Sequence, residues 1–211
     1  MKWVTQEGWS GLWNGLGATG DGAPVFARLM DLYGEPQRSY HDLRHLEDCL
    51  AELDSARALA REPLSVEAAL WFHDAVYNPR ATTNEEQSAH LAEEVLGTAG
   101  VSSRLVTSIR DLVLVTKTHD PGTNPDARLL TDIDLAIFGQ PPARFHEYEQ
   151  AIRREYAWVE AAAYRSARVQ ILHRFQARPF IYSTAFFRGK YEPAARRNLT
   201  RSLQFLEGAV P

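Results

Sequence analysis

A chain of 211 residues, 45% hydrophobic and 24% charged, has the composition of an ordinary globular domain and is too apolar for disorder. With 23 Lys+Arg against 27 Asp+Glu the net charge is −4, which argues against bulk electrostatic binding to nucleic acid or to an anionic membrane. The single cysteine, Cys49, excludes a disulfide framework and a zinc site built from cysteines, and no apolar run approaches the roughly 18 residues of a membrane span.

Residues 1–24 form a Gly-rich segment carrying Trp3, Trp9 and Trp13, expected to cover an apolar edge of the fold. They lack the apolar stretch of a secretory leader, so a cytoplasmic setting is expected. From there the apolar period is helical nearly throughout. Leu43, Leu46, Leu50, Leu53 and Leu59 mark a helix over residues 41–60. A second is predicted over 65–77, stopped by Asn78-Pro79, and a third over 83–96, with acids in its first turn. Further helices are predicted over 102–117, 126–138, 143–158, 160–177 and 191–207. Residues 180–184 are the best candidate for a strand, and they are few. The fold class is therefore all-α, a single-domain bundle of about eight to nine helices.

The chemistry-bearing surplus is in the seven histidines. In Trp71-Phe72-His73-Asp74-Ala75-Val76-Tyr77, a helical His73 has Ala69, Leu70, Val76 and Tyr77 as its i±3 and i±4 neighbours. That face points inward, and a buried Asp74 costs several kcal/mol unless paired. Adjacent side chains about 100° apart on a helix can converge on one metal ion, or an arginine from elsewhere can pair with Asp74. His41 and His45 stand at i,i+4, a spacing that suits a metal pair and also two surface residues. In Thr131-Asp132-Ile133-Asp134, the helical neighbours of Asp134 are Leu130, Ile137 and Phe138, and those of Asp132 are more mixed. Spacing selects Asp134 as the buried carboxylate. Thr131 with Asp134 also fits a capping box, in which the acid serves the backbone and no metal.

A histidine, a later His-Asp doublet and a distal aspartate on three helices resemble the signature of the HD superfamily of metal-dependent phosphohydrolases. The resembling segments are Arg38-Ser39-Tyr40-His41-Asp42-Leu43-Arg44-His45, Trp71 to Tyr77, Asn84-Glu85-Glu86-Gln87-Ser88-Ala89, Thr131 to Ala136, Ile152-Arg153-Arg154-Glu155-Tyr156 and Ala195-Arg196-Arg197-Asn198-Leu199. Asp42 departs from the pattern, since the similar branch often has Asn there. The resemblance implies an HD-like domain with its metal-site core at about 33–140 and C-terminal helices at about 143–208. It also implies metal ligands at His45, His73, Asp74 and Asp134, holding one divalent ion (Mn, Fe, Co, Ni, Zn or Mg) with open water positions.

The implied reaction is hydrolysis of a small phosphorylated substrate, such as a nucleotide, by metal-activated water. Asp74 or Glu85 would orient the water or take its proton, although an acid in the first turn of a helix is also favoured by the helix dipole. Arg38, His41, Ser88, Lys117, His119 and Arg153 are the candidate substrate contacts. Cys49, one turn beyond His45 on the same helix, falls either near the implied site or, as expected here, in a packing position. Two other functions remain open: an HD-type di-iron oxygenase, for which His90 and His119 fall in the right interval, and a metal-stabilised regulatory module. Neither a membrane nor a dedicated nucleic-acid partner is expected, and a homo-oligomer is compatible with the sequence.

Overall fold

Thr5 accepts the Gly8 N–H through its hydroxyl (3.1 Å) and starts a helix inside the Gly-rich segment. This is α1 (Gln6–Gly15), followed by α2 (Ala23–Tyr33). Neither was predicted as a helix. In α1, Gly8, Gly11 and Gly15 depress helix propensity and only tertiary burial reverses that, whereas α2 holds no glycine. Trp9 and Trp13, at i,i+4, bury 100% and 96% of their surface respectively. Each such indole removes about 200 Å² from water, worth about 5 kcal/mol. Trp9 meets Trp71 edge-on, with ring centroids 5.2 Å apart. The indole N–H groups of Trp9 and Trp13 donate to the carbonyls of Gly22 (2.9 Å) and Gly20 (3.2 Å). A Cβ at Gly22 would stand 2.8 Å from Trp13 Cγ, so the turn between α1 and α2 requires glycine there.

The computed structural model describes residues 1–208, which hold ten α-helices, two short 3₁₀ helices and no strand. After α2 come α3 (Leu43–Ala56), α4 (Pro63–Phe72), α5 (Asn84–Thr98), α6 (Ser103–Val115) and α7 (Pro125–Asp134). Then follow α8 (Pro142–Glu155), α9 (Ala161–Gln176) and α10 (Ala185–Gly208). The all-α expectation holds. The candidate strand at 180–184 is irregular: the N–H groups of Ile181 and Tyr182 donate to the Glu192 carboxylate, not to a neighbouring strand. No helix of the described residues is long and apolar enough to cross a membrane.

Two compact units divide the chain, Met1–Ile133 and the residues from Asp134 onward. The division falls at the last residue of α7, so Asp134 closes a helix that otherwise belongs to the first unit. In the first unit α4 packs against α1, α3, α5 and α6, and it is buried on all sides. Asp126 on α7 ties down the residues that lead into this helix, accepting the N–H groups of Arg61 (2.7 Å) and Glu62 (3.1 Å).

The chain start is held to α3 by Glu47, whose carboxylate accepts the backbone N–H groups of Lys2, Trp3 and Val4. Burial alone raises this carboxyl's pKa. The three amide donors outweigh it and hold the group below its ordinary value. A depressed carboxyl contributes stability above its unfolded pKa of about 4.3 and loses it as pH falls through the folded value. Glu47→Gln should therefore melt below the wild type at neutral pH. Thermal melts taken down to about pH 3 should show that gap closing, and a gap independent of pH would contradict the assignment.

In the second unit, Asn198 on α10 donates to the carbonyls of Phe138 and Gln140 (2.8 Å each). Tyr182 donates to Leu135 (3.0 Å). Gly139 lies so close to Tyr191 that a Cβ would stand 2.4 Å from the tyrosine's own Cβ. Buried Arg168 donates to the Tyr148 hydroxyl (2.8 Å) and to Glu149, and Ser202 donates to the other Glu149 oxygen (2.9 Å). Burial pushes the Tyr148 phenol up to about 12, so it stays a neutral hydroxyl at neutral pH.

Candidate metal centre

The site begins with where α3 starts. Asp42 caps it, accepting the N–H groups of Arg44 (2.9 Å) and His45 (3.2 Å) through its carboxylate. Asn is an equally good cap, so the Asp42 departure keeps the same local structure. His45 falls in the first turn of α3, and Cys49 stands one turn later, both buried. His41 precedes the cap and lies outside the helix, which corrects the expectation of a shared helical face with His45. It is half-buried instead, stacked on the Tyr77 ring at 4.3 Å.

The helix expected to run to Tyr77 ends early: α4 stops at Phe72, His73 is its C-cap, with its N–H on Ala69 (2.9 Å), and Asp74 lies in the turn beyond. Buried Arg38 holds this turn by donating to the carbonyls of Asp74 (2.6 Å) and Ala75 (2.8 Å). The Tyr33 hydroxyl accepts the Asp74 N–H and donates to the Trp71 carbonyl (3.3 Å each). The third donor segment is the end of α7. Asn124 caps that helix, and Thr131 within it donates to Ala127 (3.0 Å). Thr131 is thus not an N-cap, and the capping-box alternative for Asp134 falls.

One donor atom each from His45, Cys49, His73 and Asp134 lie within 4.8 Å of one another, a cluster that could hold a metal ion. His45 Nε2 and His73 Nε2 are 3.1 Å apart. Asp74 Oδ2 adds a fifth group, 3.1 Å from His73 Nε2 and 3.5 Å from His45 Nε2. Nitrogen and oxygen ligands at about 2.1 Å from an ion stand about 3.0 Å apart at right angles and about 3.4 Å at the tetrahedral angle. The His45, His73 and Asp74 donors fit such an ion in spacing and in type.

His73 Nδ1 stands 2.8 Å from the Leu70 carbonyl, which can only accept. The Nδ1 proton is thereby committed outward, and Nε2 is aimed into the cluster. Burial alone raises the Asp74 carboxyl's pKa. The charges of His73 and His41, a hydrogen bond from His73 and the charge of His45 outweigh it, and the carboxyl is held well below its ordinary range. Two imidazole edges and a carboxylate this close together suit a cation between them. The same carboxylate helps keep the Tyr33 hydroxyl neutral: burial first, then the Asp74 charge, raise it well above the ordinary tyrosine value.

The remaining candidates are placed differently. Arg38, expected at a phosphate, is buried with its guanidinium committed to Glu35 (3.1 Å) and to the carbonyls of His41 (2.8 Å), Asp74 and Ala75. Ser88 accepts the Val76 N–H (3.0 Å) and so stitches the turn after His73-Asp74 to α5. Glu85 is half-buried in the first turn of α5 and is not among the four clustered donors. Lys117 is exposed, paired with Glu86 and donating to the Thr82 carbonyl (2.7 Å).

His119 follows α6 in a left-handed conformation, at φ 50°, which is uncommon for a non-glycine residue. Arg153 lies in the second unit, where it donates to the carbonyls of Tyr156 (2.6 Å) and Val159 (3.2 Å) at the end of α8. Asp132 is 1% exposed and Asp134 half-buried, the reverse of the expected order. Cys49 and Tyr33 were assigned no site role from sequence. The i,i+4 spacing from His45 signalled the first, and nothing local signalled the second. Compared with protein-family models, with curated proteins and with solved structures, the chain finds no match in any of the three.

Proposed function

We propose that the chain is a metal-dependent hydrolase of phosphate esters or anhydrides, acting on a nucleotide or another small phosphorylated metabolite in the manner of the HD superfamily it resembles. The observation that carries this reading is the convergence of His45, His73 and Asp134, joined by Asp74, from three separate stretches of chain onto one point. His45 and His73 through Nε2, with Asp74 and Asp134 through carboxylate oxygens, would hold a divalent ion. When bound, such an ion acidifies a water and polarises a phosphoryl oxygen.

The protein's own groups supply the rest. The Leu70 carbonyl keeps His73 in the tautomer that faces the ion. Asp74, kept ionised by its imidazole neighbours, would orient the attacking water through its carboxylate, and the proton of the ion-acidified water would leave to solvent. His41, stacked on Tyr77 and within the field of Asp74, would protonate the leaving oxygen. Arg38 and Arg153 are committed to carbonyls and would not fill the anion-binding role expected of them.

The test is to strip the protein with chelator and add back Mn, Fe, Co, Ni, Zn or Mg singly. Cleavage of nucleotides, sugar phosphates and simple phosphomonoesters and diesters is then measured. Metal-dependent turnover that disappears on chelation is expected. A folded, metal-loaded protein that cleaves none of these substrates would overturn the reading.

A further inference from the structure

We propose that Cys49 is itself a ligand of this centre, and that its thiolate makes the centre selective for a thiophilic ion, zinc or cobalt(II), over magnesium or manganese. The inference rests on the metal-binding part of the proposed function and not on phosphate hydrolysis.

Cys49 is 2% exposed, on the inward face of α3, one turn after His45. Its Sγ is 3.7 Å from His45 Nε2, and it belongs to the four-donor group whose atoms all lie within 4.8 Å of one another. A thiolate at about 2.3 Å and an imidazole nitrogen at about 2.1 Å from one ion stand about 3.6 Å apart at the tetrahedral angle. The observed separation is close to that figure, but Sγ is nearly equidistant from the two ring nitrogens and lies off the Nε2 lone-pair axis, so coordination requires the Cys49 side chain to rotate towards the ion. The donor set is two imidazole nitrogens, one sulfur and one carboxylate oxygen, with Asp74 Oδ2 beside both nitrogens. Hard ions such as magnesium take oxygen ligands and gain little from a thiolate, whereas zinc and cobalt(II) bind sulfur strongly. As the sulfur–metal bond forms, the thiol proton leaves to solvent. The competing role is packing, since Sγ is also 3.8 Å from His45 Nδ1 and so rests against the ring edge.

The test uses the full chain, stripped of metal and titrated with cobalt(II). A near-ultraviolet thiolate-to-cobalt charge-transfer band is expected in the wild type, together with the intense visible bands of a four- or five-coordinate ion. Cys49→Ser should lose the ultraviolet band and weaken zinc at least about tenfold, with manganese affinity unchanged. Cobalt bound without that band, or no cobalt bound by the folded wild type, overturns the proposal. Because the band is read on the wild type, no variant has to fold for the proposal to fail. A band with no phosphoesterase turnover sinks the hydrolase reading and leaves this one standing. Turnover without the band does the reverse.

Discussion

Saturating a metal-free preparation with its preferred divalent ion is expected to raise the thermal midpoint by about 5–10 °C, and His73→Ala to abolish that rise. A ligand at about one hundred times its Kd that binds only the folded state adds about 2.7 kcal/mol, and in a chain of this size each kcal/mol moves the midpoint by about 2–4 °C. His73 is the sharpest place to cut. Its Nε2 is within 3.1 Å of both His45 Nε2 and Asp74 Oδ2, so its loss removes the atom the other donors surround. Metal content per chain and calorimetric titration check the result alongside the melts. A variant that still binds metal with wild-type affinity would show that the cluster is not the binding site. Acidification should weaken binding in the wild type, because protons compete for the imidazole nitrogens.

The second large effect is expected at Arg38, through stability and geometry. Its side chain is wholly buried and donates to three carbonyls and to Glu35. Arg38→Ala leaves those carbonyls short of a charged donor and should cost about 3–5 kcal/mol, or about 6–20 °C in midpoint. Arg38→Lys keeps the charge but not the planar fork, and should recover only part of the loss. Because the guanidinium clamps the His41 segment to the Asp74 turn, both variants should also bind metal more weakly, as titration at a temperature where they remain folded will show. A surface arginine at a phosphate would behave oppositely, with unchanged stability and a raised KM.

Sequence legibility varied with the range of the interactions involved. Helical period alone predicted α5, α6, α8 and α9 to within a few residues, because local propensity and one apolar face suffice there. It ran α4 five residues too far, from Phe72 to Tyr77. Ala75 and Tyr77 are buried and keep the apolar pattern alive, but the turn that ends the helix is held by Arg38 and Tyr33, more than thirty residues away in sequence. Trp9 and Trp13 show the opposite error. Glycine content argued against a helix in their segment, and burial against Trp71 and Phe72 produced one.

By itself the sequence determined the all-α class and the absence of a disulfide within these 211 residues, which depend on residue types and on periods of three and four, while the ordered set His45, His73, Asp74 and Asp134 came from the resemblance. Only the tertiary structure decided which donors meet. It brought Cys49 into the cluster, left His41 beside it on a tyrosine ring and turned Arg38 and Ser88 into fasteners for the turn that presents Asp74. The physical reason is that a buried arginine or hydroxyl must satisfy its hydrogen bonds wherever acceptors lie, and those acceptors are backbone groups that no side-chain pattern records.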